Sequence, residues 1–180
     1  KKKATYTANI ESGYICKRAT TLHRPQGVSV GKLGTSGVLS SGDAFDCDVN
    51  GDGTYNAETE RFYYVTSLAG NTNYAVLLYY NNTYNGVANS TTGVAYHSSD
   101  YNYYGPVTAK THMPTTSQWK NVTLASTTRA ILTESGSSTL SYSLGTFNLP
   151  TAFSYSGYAA RLLTYAEAKE ACGVTNFTSS

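Results

Sequence analysis

The sequence predicts a mainly β, α+β protein: an antiparallel sheet with an N-terminal helix and a short C-terminal helix. Three observations lead there. Segments rich in aromatic and β-branched residues alternate with turn residues. Ser, Thr, Asn, Tyr and Gly make up 92 of the 180 residues, whereas only 13% are charged, against roughly a quarter in an ordinary soluble domain. Two Thr-x-x-Gln/Glu segments carry the pattern of a helix start. We read one domain over residues 1–180, with residues 1–8 a flexible basic segment led by Lys1-Lys2-Lys3.

Taken in order, residues Asn9 to Leu22 place Ile10, Tyr14, Ile15, Ala19 and Leu22 at the spacing of an apolar helical stripe, with Gly13 against it. Arg24-Pro25-Gln26-Gly27 then forms a turn. Arg61 to Ser67 and Asn73 to Tyr80 are the clearest strands, and the linker Ala69-Gly70-Asn71-Thr72 makes them a hairpin. Asn81 to Asn102 reads as an exposed loop around a weak strand at Val94 to His97. Further weak strands are expected near Val28, Val38, Val107, Val122, Ile131, Leu140 and Phe153. Thr115 with Gln118, and Thr164 with Glu167, each fit a capping box, in which cap hydroxyl and third-residue side chain satisfy two orphan amides reciprocally. The second helix runs on to Cys172 and stops at Gly173, a suitable left-handed terminus.

Function classes narrow from composition. A net charge of +2 without a concentrated basic face argues against nucleic acid. No apolar run approaches the length of a membrane span, and no apolar stretch follows the opening lysines to make a signal peptide. Outside one acidic cluster only Glu11, Asp100, Glu134, Glu167 and Glu170 remain as acids, and His23, His97 and His112 have no triad context, so we expect no enzyme. The three cysteines, Cys16, Cys47 and Cys172, match no zinc spacing. They allow one disulfide and one thiol, or none. A Cys47–Cys172 bridge would tie the acidic loop to the C-terminal helix. Four Asn-x-Ser/Thr sequons, at Asn81, Asn89, Asn121 and Asn176, are about what this composition yields by chance.

Charge is clustered. Six of the eleven acids, Asp43, Asp46, Asp48, Asp52, Glu58 and Glu60, share one window without a Lys or Arg, and Phe62 to Ser99 then carries no charge at all. That uncharged stretch is the expected contact surface. Within the window, Asp48, Asn50 and Asp52 stand at the first, third and fifth positions of a calcium-loop pattern, with Gly53 at the sharp turn and Thr54 offering its carbonyl next. Thr59 occupies the place of the closing bidentate Glu, flanked by Glu58 and Glu60. Asp46 permits a second register led by Asp46, Asp48 and Asn50. Clustered carboxylates favour a hard cation, so we expect a structural Ca2+ held by these residues; the alternative is a plain Asn-Gly/Asp-Gly turn with solvated acids.

Asp48-Val49-Asn50-Gly51-Asp52-Gly53 resembles the calcium loop of dockerins and related repeats on secreted bacterial proteins. A dockerin has two such loops, each followed by a helix; here one loop leads into a strand, so cohesin binding is not implied. Arg161-Leu162-Leu163-Thr164-Tyr165-Ala166-Glu167-Ala168 is similar to the Arg-Leu-Pro-Thr-x-Ala-Glu-Trp helix of C-type-lectin-like folds related to the formylglycine-generating enzyme, with Leu163 for Pro and Ala168 for Trp. Some proteins of this kind are anchored like type IV pilins, and Asn9 to Leu22 would correspond to the soluble end of such an anchor. The resemblances imply an extracellular, calcium-stabilised surface module that associates with itself or with other surface proteins, as a pilus or filament subunit does. A glycan-binding alternative rests on Tyr96, Tyr101, Asn102, Tyr103 and Tyr104, whose rings stack on sugars and whose amide reads hydroxyls. Trp119 is expected to be a core anchor.

Overall fold

The computed structural model describes residues 15–19, 40–70, 74–88, 91–99, 102–132, 136–150 and 152–177. In chain order the elements are β1 (Cys16–Arg18), β2 (Ala44–Cys47), β3 (Arg61–Ser67), β4 (Ala75–Tyr79), β5 (Thr83–Tyr84), β6 (Val87–Ala88), α1 (Val107–Lys110), β7 (Thr128–Arg129), β8 (Thr139–Tyr142), β9 (Gly145–Asn148), β10 (Phe153–Ser154) and α2 (Tyr165–Cys172). The protein is mainly β, and among the described residues every strand pairs antiparallel. It divides into two compact units, Lys1–Asn82 with Leu163–Ser180, and Thr83–Leu162.

The first unit is built on a four-stranded sheet in the order β1-β2-β3-β4. Strand β3 holds Arg61-Phe62-Tyr63-Tyr64-Val65, five consecutive buried residues. An interior strand covered on both faces needs no polar alternation, which is why the segment reads as a run of large side chains. Its register against β4 shifts between Tyr64 and Thr66, a bulge that leaves Val65 as the extra residue. Val65, Leu68 and Val76 form an apolar cluster against which Leu163 and Ala171 pack, so helix α2 covers this part of the sheet. Thr164 caps α2 as expected: its hydroxyl accepts from the Glu167 amide at 3.2 Å, and the Glu167 carboxylate accepts from the Thr164 amide at 3.0 Å. Gly173 ends the helix with φ 66°.

Several expectations are corrected here. Within the proposed N-terminal helix, Cys16–Arg18 is a strand paired with β2; the remaining residues of Asn9 to Leu22, apart from Ile15 and Ala19, lie outside the described residues. Cys16 faces Cys47 in the β1–β2 register and bonds to it, so Cys47 is not bridged to Cys172, an exposed thiol. The uncharged stretch after Arg61 opens with the buried strand β3 and so begins as core rather than contact surface. Residues 1–8 and the strands expected near Val28 and Val38 lie outside the described residues.

In the second unit, β5 and β6 form a hairpin whose turn residues Asn85 and Gly86 have φ 52° and 78°, the left-handed pair that an Asn-Gly turn supplies. One carbonyl braces the hairpin at two points: His112 O accepts from the Gly86 amide at 3.0 Å and from the Thr83 hydroxyl at 2.8 Å. The Tyr84 ring stacks on His112 at 4.4 Å. Trp119 is buried, as expected, with Leu149, Phe153, Tyr155 and Ala159. The Thr115–Gln118 box also forms, with the Gln118 amide 3.2 Å from the Thr115 hydroxyl and the Thr115 amide 2.9 Å from Gln118 Oε1. It closes one turn and no helix follows. Val94 to His97 and Val122 are irregular, and Val107 starts the short helix α1 instead of a strand. Strands do occur at Leu140 and Phe153, and β7 lies just before Ile131.

Candidate functional site

The acidic loop leaves the sheet at Cys47 and returns at Glu60. Its base is closed by the Cys47 amide on Glu60 O at 3.0 Å, by the Asp48 amide on Ile15 O at 2.7 Å, and by the Cys16–Cys47 disulfide. On the exit side, the Tyr79 hydroxyl donates to Thr59 O at 2.7 Å and the Asn81 amide group to Glu58 O at 3.0 Å, so the end of β4 pins the returning chain. The loop is thus held at both ends by the sheet.

Inside it, Gly51 and Gly53 at φ 72° and 84° let the chain curl tightly enough to turn successive amides inward. Asp48 accepts from the Asp52 amide through Oδ1 and the Gly53 amide through Oδ2, both at 3.0 Å. Asn50 Oδ1 accepts from the Asp52 amide at 2.9 Å. Asp52 Oδ1 accepts from the Thr54 amide at 2.8 Å and the Thr54 hydroxyl at 2.6 Å. Asn50 Nδ2 donates to Asp52 Oδ2 at 3.2 Å. The first, third and fifth side chains of the pattern therefore gather around one turn.

Glu60 belongs to the same assembly. It is 2% exposed, and its two oxygens accept from the Val49 amide at 3.2 Å and the Asn56 amide at 3.0 Å. Burial pushes its carboxyl above the ordinary value, bonds from the Asn56 and Asn50 amides oppose this, and the charges of Asp52 and Asp48 push it up further. Of the two acids flanking Thr59, Glu60 turns inward while Glu58 is exposed. Asn56 accepts from the Glu58 amide at 2.9 Å, and the Lys17 ammonium lies 4.5 Å from the centre of the Tyr55 ring.

Asp46 stands apart from this group. It lies in β2 and pairs with the fully buried Arg61, Nε to Oδ1 at 2.6 Å. Burial opposes the Arg61 charge, but the Asp46 bond and charge outweigh it and raise the guanidinium further. The register led by Asp46 is therefore corrected: its carboxylate serves an ion pair inside the sheet. Among the described residues, no three His, Cys, Asp or Glu side chains are grouped so as to hold a metal ion. A cation in this loop would draw on amide and main-chain oxygens as well.

The aromatic candidates are in the second unit. Tyr96 and Tyr104 are each 43% exposed, Asn102 is exposed and Tyr103 half-buried. The Tyr103 and Tyr104 rings are 4.4 Å apart, and His97 lies 6.3 Å from Tyr104. The Tyr96 carbonyl accepts from the first turn of α1, at Thr108 and Ala109, and burial raises the Tyr96 phenol. Tyr101 lies outside the described residues. No helix among the described residues is long and apolar enough to cross a membrane.

No known family model, curated protein or solved structure matches the chain.

Proposed function

We propose that this chain is a non-enzymatic, calcium-stabilised extracellular surface protein that associates with itself or with other surface proteins, as a pilus or filament subunit does. The observation that carries the reading is one sheet-anchored loop in which Asp48, Asn50 and Asp52 gather around a single turn while the buried Glu60 accepts from the loop amides of Val49 and Asn56. Asp48 and Asp52 raise the cost of charge on Glu60, and a divalent cation among them reverses that sign. A carboxylate carries about four acceptor sites over its two oxygens, so accepting amides does not by itself exclude a cation. Asp48, Asn50 and Asp52 would bind through side chains, Thr54 through its carbonyl, and Glu60 would close the shell that Thr59 cannot. The Cys16–Cys47 disulfide supports an oxidising, extracellular setting.

The chain's melting temperature in EDTA, against excess calcium, tests the cation. A hundredfold excess over Kd stabilises by about 2.7 kcal/mol, or about 5–11 °C for a chain of this size; coincident melting curves refute the cation. Sedimentation under native conditions tests the assembly, with ordered oligomers expected and a monomer at all concentrations contrary to it. A second reading, glycan binding, is favoured by the exposed Tyr104 ring packed against Tyr103 and His97. Retention of the monomer on a glycan array, lost in Tyr104→Ala, supports it, and an array without retention removes it.

A further inference from the structure

We propose that Asn50 is a self-modifying position, at which the Gly51 amide nitrogen displaces the side-chain ammonia and converts the third residue of the acidic loop into a carboxylate. The chain has three Asx-Gly steps: Asn50-Gly51, Asp52-Gly53 and Asn85-Gly86. The step can begin only where the glycine amide is free to lose its proton and swing onto the side-chain carbonyl. Gly53 donates its amide to Asp48 Oδ2 at 3.0 Å. Gly86 is buried and donates to His112 O at 3.0 Å, while Asn85 O is held by Gln118 Nε2 at 2.9 Å. The Gly51 amide alone of the three makes no hydrogen bond among the described residues.

The surroundings of Asn50 favour the reaction further. Its side chain is exposed, so water reaches it. Its Oδ1 already accepts from the Asp52 amide at 2.9 Å, the oxygen on which negative charge develops as the carbon becomes tetrahedral. Its Nδ2, the leaving nitrogen, is oriented by Asp52 Oδ2 at 3.2 Å. Gly51 gives its amide proton to a solvent base, and its nitrogen bonds to Asn50 Cγ. The Cγ–Nδ2 bond breaks, and ammonia leaves with a proton taken from water. Water then opens the resulting five-membered imide. Cleavage at Cγ gives aspartate, and cleavage at the main-chain carbonyl gives isoaspartate. The net change is amide plus water to carboxylic acid plus ammonia, with no oxidant or reductant.

Aspartate at position 50 adds a charge to the oxygen set described above; isoaspartate lengthens the main chain between Asp48 and Asp52 and pulls the loop apart. The chemistry stands whether or not a cation binds. The experiment ages the full chain in mildly alkaline buffer with EDTA and follows both Asn-Gly peptides by mass spectrometry, with fragmentation that distinguishes isoaspartate. Asn50 is expected to convert at least about fivefold faster than Asn85, the factor equivalent to one hydrogen bond of about 1 kcal/mol. In denaturant, where both steps have the same local chemistry, the ratio is expected to collapse toward unity. Equal rates in the folded chain, faster conversion of Asn85, or a ratio unchanged by denaturant overturns the proposal. A parallel sample in excess calcium chloride separates the two readings. Slower conversion of Asn50 there supports the cation, whereas an unchanged rate counts against the cation and leaves the modification standing.

Discussion

Replacing Cys16 and Cys47 together by alanine opens the link that closes the base of the acidic loop. The bridged residues are 31 apart in sequence. In the chain-entropy description, a closed loop of that length restrains the unfolded chain by about 12 cal/mol/K, or about 3.7 kcal/mol at 25 °C. Both cysteines are buried, so the double alanine also loses packing inside the sheet, which adds to the loss. For a chain of this size the entropic part alone corresponds to a fall in melting temperature of about 7–15 °C. Thermal unfolding followed by circular dichroism measures it. The single replacement Cys172→Ala serves as the control, because that thiol is exposed and unbridged. A double variant that melts with the parent, or a non-reducing peptide map that joins Cys47 to Cys172, overturns the stabilising role given to the Cys16–Cys47 bridge.

Two further predictions follow from local chemistry. Glu60 has a folded-state pKa raised above its unfolded value by burial and by Asp52 and Asp48. In EDTA its contribution is therefore fully present below the unfolded pKa and is lost as pH rises through the folded one. The melting temperature of the parent relative to Glu60→Gln should rise as pH falls through that window, and parallel pH profiles would contradict the assignment. Thr164→Ala removes the hydroxyl that caps α2 and should cost about 1 kcal/mol, or about 2–4 °C, in the same melting assay. No change would mean that α2 adds nothing to the stability of the sheet it covers.

What the sequence revealed and what it hid divide along the range of the forces involved. Strands β3 and β4 were legible because large aromatic and β-branched side chains suit a pleated, covered surface. Helix α2 was legible because box, helix formers and Gly173 agree with one another. At Thr115 the same box forms, but Asn121, Val122 and Thr123 come directly after Trp119-Lys120, and such residues do not propagate a helix. A cap fixes a start without supplying the turns. Cys16–Arg18 lies within the span of an apolar helical stripe, between Ile15 and Ala19, yet pairing and a disulfide with β2 override that pattern, and such long-range register leaves no mark in spacing. The Asn85-Gly86 hairpin had a readable signal, hidden in a stretch whose polar composition suggested only loop.

The site was legible in part for the same reason. Asp48, Asn50 and Asp52 are brought together by a local turn, so their spacing alone announces it. Glu60 joins them because strand β3 begins at Arg61 and fixes the returning chain, a tertiary fact. Asp46 carries the same side chain two residues before the loop, but its partner is Arg61 across the sheet.

Isothermal titration of the full, disulfide-bonded chain with calcium chloride decides whether the acidic loop holds a cation. One saturable site is expected in the weak extracellular range, about 10⁻⁴–10⁻³ M, abolished in the double variant Asp48→Asn/Asp52→Asn, which keeps its melting transition in EDTA. Absence of a saturable site in the parent, or an unaltered isotherm in that variant, would contradict it.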